Sequence, residues 1–175
     1  ARAIGLGYPG GPAIQRAAEG GDPDKYDLPR GLNDPNLNFS FSGLKTAVLN
    51  LTREEGDALD VASAAAAFQE TVAGVLVDRA LYACEVTGAR CLTVVGGVAA
   101  NSALRRRLQE GAAAKDISIA LPSLSLCTDN GAMIAHVASW RIAQGERDGA
   151  AMRTIAVESL GRRMREDDGR QAYRR

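Results

Sequence analysis

At 175 residues the chain is about one domain long, and 46% hydrophobic with 24% charged residues describes a globular rather than a disordered sequence. Its 21 basic and 21 acidic residues cancel, so bulk charge does not give the strongly basic profile of a nucleic-acid-binding domain. Cys84, Cys91 and Cys127 lack close pairing spacing, which excludes a disulfide framework and fits a reducing cytosol. No apolar run approaches the roughly 20 residues of a bilayer span and no signal peptide is visible, so no membrane association is expected. Aromatics are only 5% while Ala and Gly abound, which points to close helix-on-sheet packing.

In chain order, Tyr8-Pro9-Gly10-Gly11-Pro12 reads as a tight turn, with glycines free to take positive φ and Pro12 suited to a first helical position. A short amphipathic helix to about Ala18 follows. Residues 20–37, with Pro23, Pro29 and Pro35, read as a long loop. Asn38-Phe39-Ser40-Phe41 alternates as a short strand does, and Ser42 is placed to cap a helix from about Gly43 to Glu54. Asp60 caps a long helix to about Val86, with Val61, Ala65, Phe68, Val72, Val75, Leu76, Ala80 and Ala83 keeping a helical period, and Gly88 stops it. Arg90 to Val95 reads as a buried strand. Asn101 or Ser102 starts a helix with Leu104, Leu108 and Ala112 on one face and Arg105-Arg106-Arg107 on the other. Ile117 to Leu121 is a second strand, and Thr128 or Asp129 opens a helix to about Ala143. Strand, helix, strand and helix over 90–143 make a βαβ-type unit with a parallel strand pair. Residues 146–175 are charged and weakly periodic, with six Arg against three acids after Ser159, and read as peripheral or mobile.

The segment Val94-Val95-Gly96-Gly97-Val98-Ala99-Ala100-Asn101-Ser102 holds the main candidate site. A strand ending in Gly-Gly before a helix start brings bare backbone and helix amides up to a ligand, and a second helix start at Asp129 can converge on the same anion. Each residue has a plainer reading. Gly96 and Gly97 suit a ligand ring or a tight turn. Asn101 suits an N-cap or a ligand's hydroxyl or amide, and both only through different atoms. Asp129 suits a cap, a carboxylate steadied by the helix dipole, or a metal ligand. With one histidine and no HExxH or Cys-pair spacing, the chain alone cannot build a first-row metal site. His136 lies about 10 Å of helical rise from Asp129 and is read as structural. Ser42-Gly43-Leu44-Lys45-Thr46 fails as a P-loop, because Leu44 and Phe39 stand where glycines are required. Lys45 in the first turn remains open to a phosphate, a partner lobe or solvent. The Arg triplet is either the solvated face of its helix or a contact to tRNA phosphates.

Taken together, Tyr8-Pro9-Gly10-Gly11-Pro12, Asn38 to Ala47 (NFSFSGLKTA), Ala67-Phe68-Gln69-Glu70, Gly96 to Ser102 (GGVAANS) and Cys127 to Ala135 (CTDNGAMIA) resemble the tRNA threonylcarbamoyladenosine transferase family (TsaD), formerly described as O-sialoglycoprotein endopeptidases. The resemblance implies an α/β, actin-like ATPase fold of the kind found in sugar kinases and Hsp70 chaperones. Residues 1–145 would form its C-terminal lobe, a mixed sheet flanked by helices, and 146–175 a tail. It implies transfer of threonylcarbamoyl from threonylcarbamoyl-AMP to the exocyclic amine of the adenosine beside the anticodon, in tRNAs reading A-starting codons. By position, Gly10 and Gly11 fall on the adenylate, Gly96 and Gly97 under the adenine, Asn101 on the nucleotide and Asp129 on a divalent metal, iron or zinc. No residue is assigned a catalytic role. The implied partners are tRNA, a paralogous dimerisation subunit and a small P-loop ATPase, in the cytoplasm.

The family's His-x-x-x-His pair, Ser-Gly-Gly-His-Thr loop and ribose-binding aspartate are absent from these 175 residues, and the match covers the family's C-terminal half. The other metal ligands are therefore expected on a missing N-terminal half, and the chain is expected to be inactive alone. A lobe without its other half also exposes apolar surface, an association liability. The alternatives are a non-catalytic dimerisation or scaffold lobe, disfavoured by intact Gly11, Asn101 and Asp129, and a sugar-kinase-like phosphotransferase, disfavoured by the FSFSGLKT and CTDNGAMIA runs. No nucleophile–base pair or zinc-protease motif supports a protease.

Overall fold

A long apolar helix dictates the arrangement, since its sides must be covered from different directions. The computed structural model describes residues 1–31 and 37–147. The chain divides into two units, one spanning Ala1–Asn130 and one beginning at Gly131. In the first, helices α1 (Gly10–Ala18), α2 (Ser42–Glu55), α3 (Val61–Thr87) and α4 (Ser102–Ala113) accompany strands β1 (Cys91–Thr93) and β2 (Ser118–Ala120).

Helix α3 is the axis. Asp60 accepts the Ser63 amide at 3.2 Å to cap its start, and Gly88, at φ 68°, ends it, both as expected. By length and composition α3 alone among the described helices could cross a membrane, contrary to the expectation from apolar runs. Its Ala64–Ala67 turn, Ala73, Val77, Leu81 and Cys84 are buried inside the unit, as in a core helix. The buried face also differs from the expected period. Ala65 and Val75 are buried, whereas Val61, Phe68, Val72, Leu76, Ala80 and Ala83 are only half-buried. The reason is that partners change along the helix. Ala64 and Ala65 pack with Ile4, Ile14 and Ala17, while Val77 and Leu81 pack with Leu104, Leu108 and Ala112 of α4.

β1 and β2 run parallel around α4, pairing Cys91 with Ser118, Leu92 with Ile119 and Thr93 with Ala120. The expected βαβ unit is present. The described sheet is this parallel pair, α/β as expected, but no mixed sheet occurs among the described residues. Nor is β1 buried on both faces: Leu92, Val94, Ile117 and Ile119 pack against the α3–α4 core, while Cys91, Thr93 and Val95 are exposed.

Other boundaries moved. Residues 38–41 form no strand, since no neighbouring strand supplies hydrogen bonds there; Phe39 and Phe41 stack at 6.4 Å instead. Ser42 is the first residue of α2 rather than its cap. Helix α1 starts at Gly10, so Pro12 is its third residue, and neither Gly10 nor Gly11 has positive φ. The long loop is bare of regular structure over 20–31, and Gly21 is required there: a Cβ would lie 2.1 Å from the Ala62 carbonyl oxygen. In the second unit α5 (Gly131–Ala143) has Ile134, Val137, Trp140 and Ile142 exposed. Nearly all of the charged tail, residues 148–175, lies outside the described residues.

Candidate functional site

The Val94–Ser102 segment turns as its glycines dictate. Gly96 has φ 92° and ψ 172°, a conformation that an L side chain rarely adopts, and it leads into a 3-10 turn over Gly97–Ala100. Nothing lies within 4 Å of where a Cβ would stand at Gly96 or Gly97, and both are exposed with Val95 and Val98. The turn therefore presents bare backbone at the end of β1, as a ligand floor requires. Gly11 is equally open, whereas a Cβ at Gly10 would lie 3.1 Å from that of Ala1.

Asn101 resolves as a cap. Its Oδ1 accepts the Leu104 amide at 2.9 Å, and its Nδ2 donates to Gln69 Oε1 at 2.8 Å. The carboxamide of Gln69 thus holds the Asn101 amide from α3. Gln15 Oε1, on α1, accepts the Ser102 amide at 3.0 Å. Two of the first three amides of α4 are therefore taken by the protein, those of Ser102 and Leu104. The second Nδ2 proton of Asn101 is the atom its side chain has left for a ligand.

Of the Arg triplet, Arg106 and Arg107 keep substantially exposed side chains, as a solvated helix face would, whereas Arg105 departs from that expectation. Arg105 turns inward: Nε donates to the Ala99 carbonyl at 2.5 Å, and one Nη2 donates to the Pro122 carbonyl at 2.6 Å and to Cys127 Sγ at 3.2 Å. Arg106 and Arg107 both pair with Glu70 of α3, and Arg106 also with Glu110. Their charges are matched within the unit, which leaves less for a polyanion.

Cys127 is 1% exposed and sits behind Arg105. Asp129, two residues on, is exposed and lies ahead of the first residue of α5, Gly131, so it does not belong to the helix as expected. Among the described residues no three His, Cys, Asp or Glu side chains gather to hold a metal. An iron or zinc ion does not fit the described residues alone, since such ions need several donors. His136 and Lys45 are exposed, in α5 and in the first turn of α2.

Gln15 and Gln69 were not singled out as site residues by sequence, and Arg105 only as one of the Arg triplet, in a different role. Gln69 carried a further signal through the Ala67–Glu70 motif, and Gln15 none. Gln15 ties α1, which bears Gly10 and Gly11, to the start of α4. Gln69 ties α3 to Asn101. Arg105 ties the Gly97–Ala100 turn to the segment leading to Asp129. Five of the six predicted residues thus sit on backbone joined by three polar side chains, and Asp129 follows at the end of the third link.

Residues 1–136 match the family model of tRNA N6-adenosine threonylcarbamoyltransferase. The chain is 50% identical over 145 residues to the tRNA N6-adenosine threonylcarbamoyltransferase of Desulfitobacterium hafniense, covering 81% of this chain and 42% of that protein. It is 49% identical over 146 residues to the protein of that name from Thiobacillus denitrificans, covering 82% and 42%. For the one from Geobacter sulfurreducens the figures are 46% over 155 residues, 87% and 46%. The chain thus spans less than half the length of these curated relatives. It belongs to the tRNA N6-adenosine threonylcarbamoyltransferase family.

Proposed function

We propose that this chain supplies one wall of the adenylate site of a tRNA threonylcarbamoyltransferase with the actin-like ATPase fold. The observation that carries the reading is the family match over residues 1–136, a span that includes Gly10, Gly11, Gly96, Gly97, Asn101 and Asp129. Bare backbone at Gly96 and Gly97 supports it, because a planar base can lie there without meeting a Cβ. Asn101 would offer its second Nδ2 proton to the nucleotide while Oδ1 keeps the cap.

In the transfer, the exocyclic amine nitrogen of the tRNA adenosine bonds to the carbamoyl carbonyl carbon. The bond from that carbon to the phosphate oxygen breaks, AMP leaves with the electron pair, and the amine gives up one proton. This chain's part is to bind and orient the adenylate. An iron or zinc ion touching Asp129 would need donors beyond this chain. The reading sets the chain in the cytoplasm with tRNA and threonylcarbamoyl-AMP as substrates, beside a dimerisation paralogue and a small P-loop ATPase.

Gly97→Val tests the floor, since its side chain enters open space and leaves the fold alone. Calorimetric titration with AMP is expected to show binding by the wild-type chain and at least a tenfold loss in the variant; equal binding by both would refute the site. Incubated with threonylcarbamoyl-AMP and tRNA, the chain alone is expected to yield no modified adenosine by mass spectrometry. Turnover above background would overturn the expectation that donors and residues outside this chain are required.

A further inference from the structure

We propose that Arg105 is a positioning residue that clamps the Gly97–Ala100 turn to the Pro122–Cys127 loop, so that the adenylate floor and the segment leading to Asp129 move as one body. The inference rests on the proposed adenylate site for its functional meaning, but its structural content stands on Arg105 alone.

The geometry is specific to a guanidinium. Nε reaches the Ala99 carbonyl at 2.5 Å on one side, while Nη2 reaches the Pro122 carbonyl at 2.6 Å and Cys127 Sγ at 3.2 Å on the other. A planar fork with fixed donors can hold groups on two sides at once, which a lysine's single ammonium cannot. Among the described residues no carboxylate pairs with Arg105, unlike Arg106 and Arg107, so its charge is spent on loop carbonyls. The loop is otherwise thinly held: Cys127 Sγ contacts the Ser123 carbonyl at 3.5 Å, and Leu124 and Leu126 are exposed. Charged hydrogen bonds to carbonyls are stronger than neutral ones, so these contacts dominate the restraint on the segment.

The three thiols make the test internal to the chain. Cys91 is exposed, Cys84 is buried on α3 away from Arg105, and Cys127 is buried behind Arg105. In the 175-residue chain, thiol alkylation with iodoacetamide is followed by peptide mass spectrometry for each cysteine separately. In Arg105→Met, Cys127 is expected to react at least tenfold faster than in wild type, with Cys84 within twofold of its wild-type rate. A merely global loss of stability would speed Cys84 and Cys127 together. Arg105→Lys, which keeps charge and one contact, guards against a variant that fails to fold and is expected to give an intermediate rise confined to Cys127. Cys127 labelling that stays slow in the folded variants, or rises only in step with Cys84, overturns the clamp.

AMP titration separates this inference from the reading it rests on. If wild type binds AMP, Arg105→Met is expected to bind at least fivefold more weakly despite an intact Cys84; undiminished binding would overturn the coupling to the floor. If wild type binds no AMP, the adenylate reading fails, and the labelling ratio alone decides the clamp.

Discussion

Removing the Asn101 side chain should cost the first unit about 2 kcal/mol, and the sum can be built from two contacts. The cap to Leu104 is worth about 1 kcal/mol by the usual N-cap scale. The Nδ2 bond to Gln69 adds about 1 kcal/mol, because the pair is half-buried and truncation strands a carboxamide oxygen. With a urea slope of about 1.5 kcal/mol per molar for a unit of this size, Asn101→Ala should lower the midpoint by roughly 1.3 M. Asn101→Asp keeps an acceptor at the positive end of α4, and Gln69 can turn its amide to donate, so this variant should stay within about 0.5 kcal/mol of wild type. Gln69→Ala should cost about 1 kcal/mol, and adding it to Asn101→Ala should cost little more. Far-ultraviolet circular dichroism in urea reads all four. A midpoint shift below about 0.4 M for Asn101→Ala, or an Asp variant as weak as the Ala variant, would refute this accounting. It would mean that the Asn101 amide is held for something other than the helix start.

Three other outcomes are expected. Hydrogen bonds from Lys25 and then from Ser63 hold the Asp60 carboxyl down to about 2. Because that folded value lies below the unfolded one of 3.8, its stabilisation is complete above about pH 4 and is lost as pH falls through about 2; melting temperatures measured from pH 5 to 2 should fall less steeply in Asp60→Asn, and parallel slopes would refute the role. Gly21→Ala should destabilise by about 2 kcal/mol or displace the loop, since its Cβ meets immovable helix backbone at Ala62, and an unchanged thermal midpoint would contradict that close approach. Leu108→Ala, 2% exposed between α3 and α4, should cost about 3 kcal/mol in urea unfolding, whereas a loss under about 1 kcal/mol would show a loosely packed core.

Helix ends were the most readable part of the chain. Asp60, Gly88 and Asn101 act where their residue types predict, because a cap is decided by a side chain and the amide two or three residues away. The β1–α4–β2 order followed for the same reason, from Gly-Gly and Asn placed between two β-branched runs. What stayed hidden was direction. Arg105, Arg106 and Arg107 are alike in sequence, yet Arg105 faces two loops and its neighbours face Glu70.

By itself, the sequence determined the family, the α/β class and the helix boundaries to within a few residues, through local motifs and local hydrogen bonding. Only tertiary structure decided that Asn38–Phe41 is no strand, that α3 buries different faces along its length, and that Gln15, Gln69 and Arg105 bind the candidate site together. Each of these depends on a partner distant in the chain: Gln15 and Ser102 are 87 residues apart, and Gln69 and Asn101 are 32. A residue's type fixes which bonds it can make, but the fold chooses which distant group stands within reach.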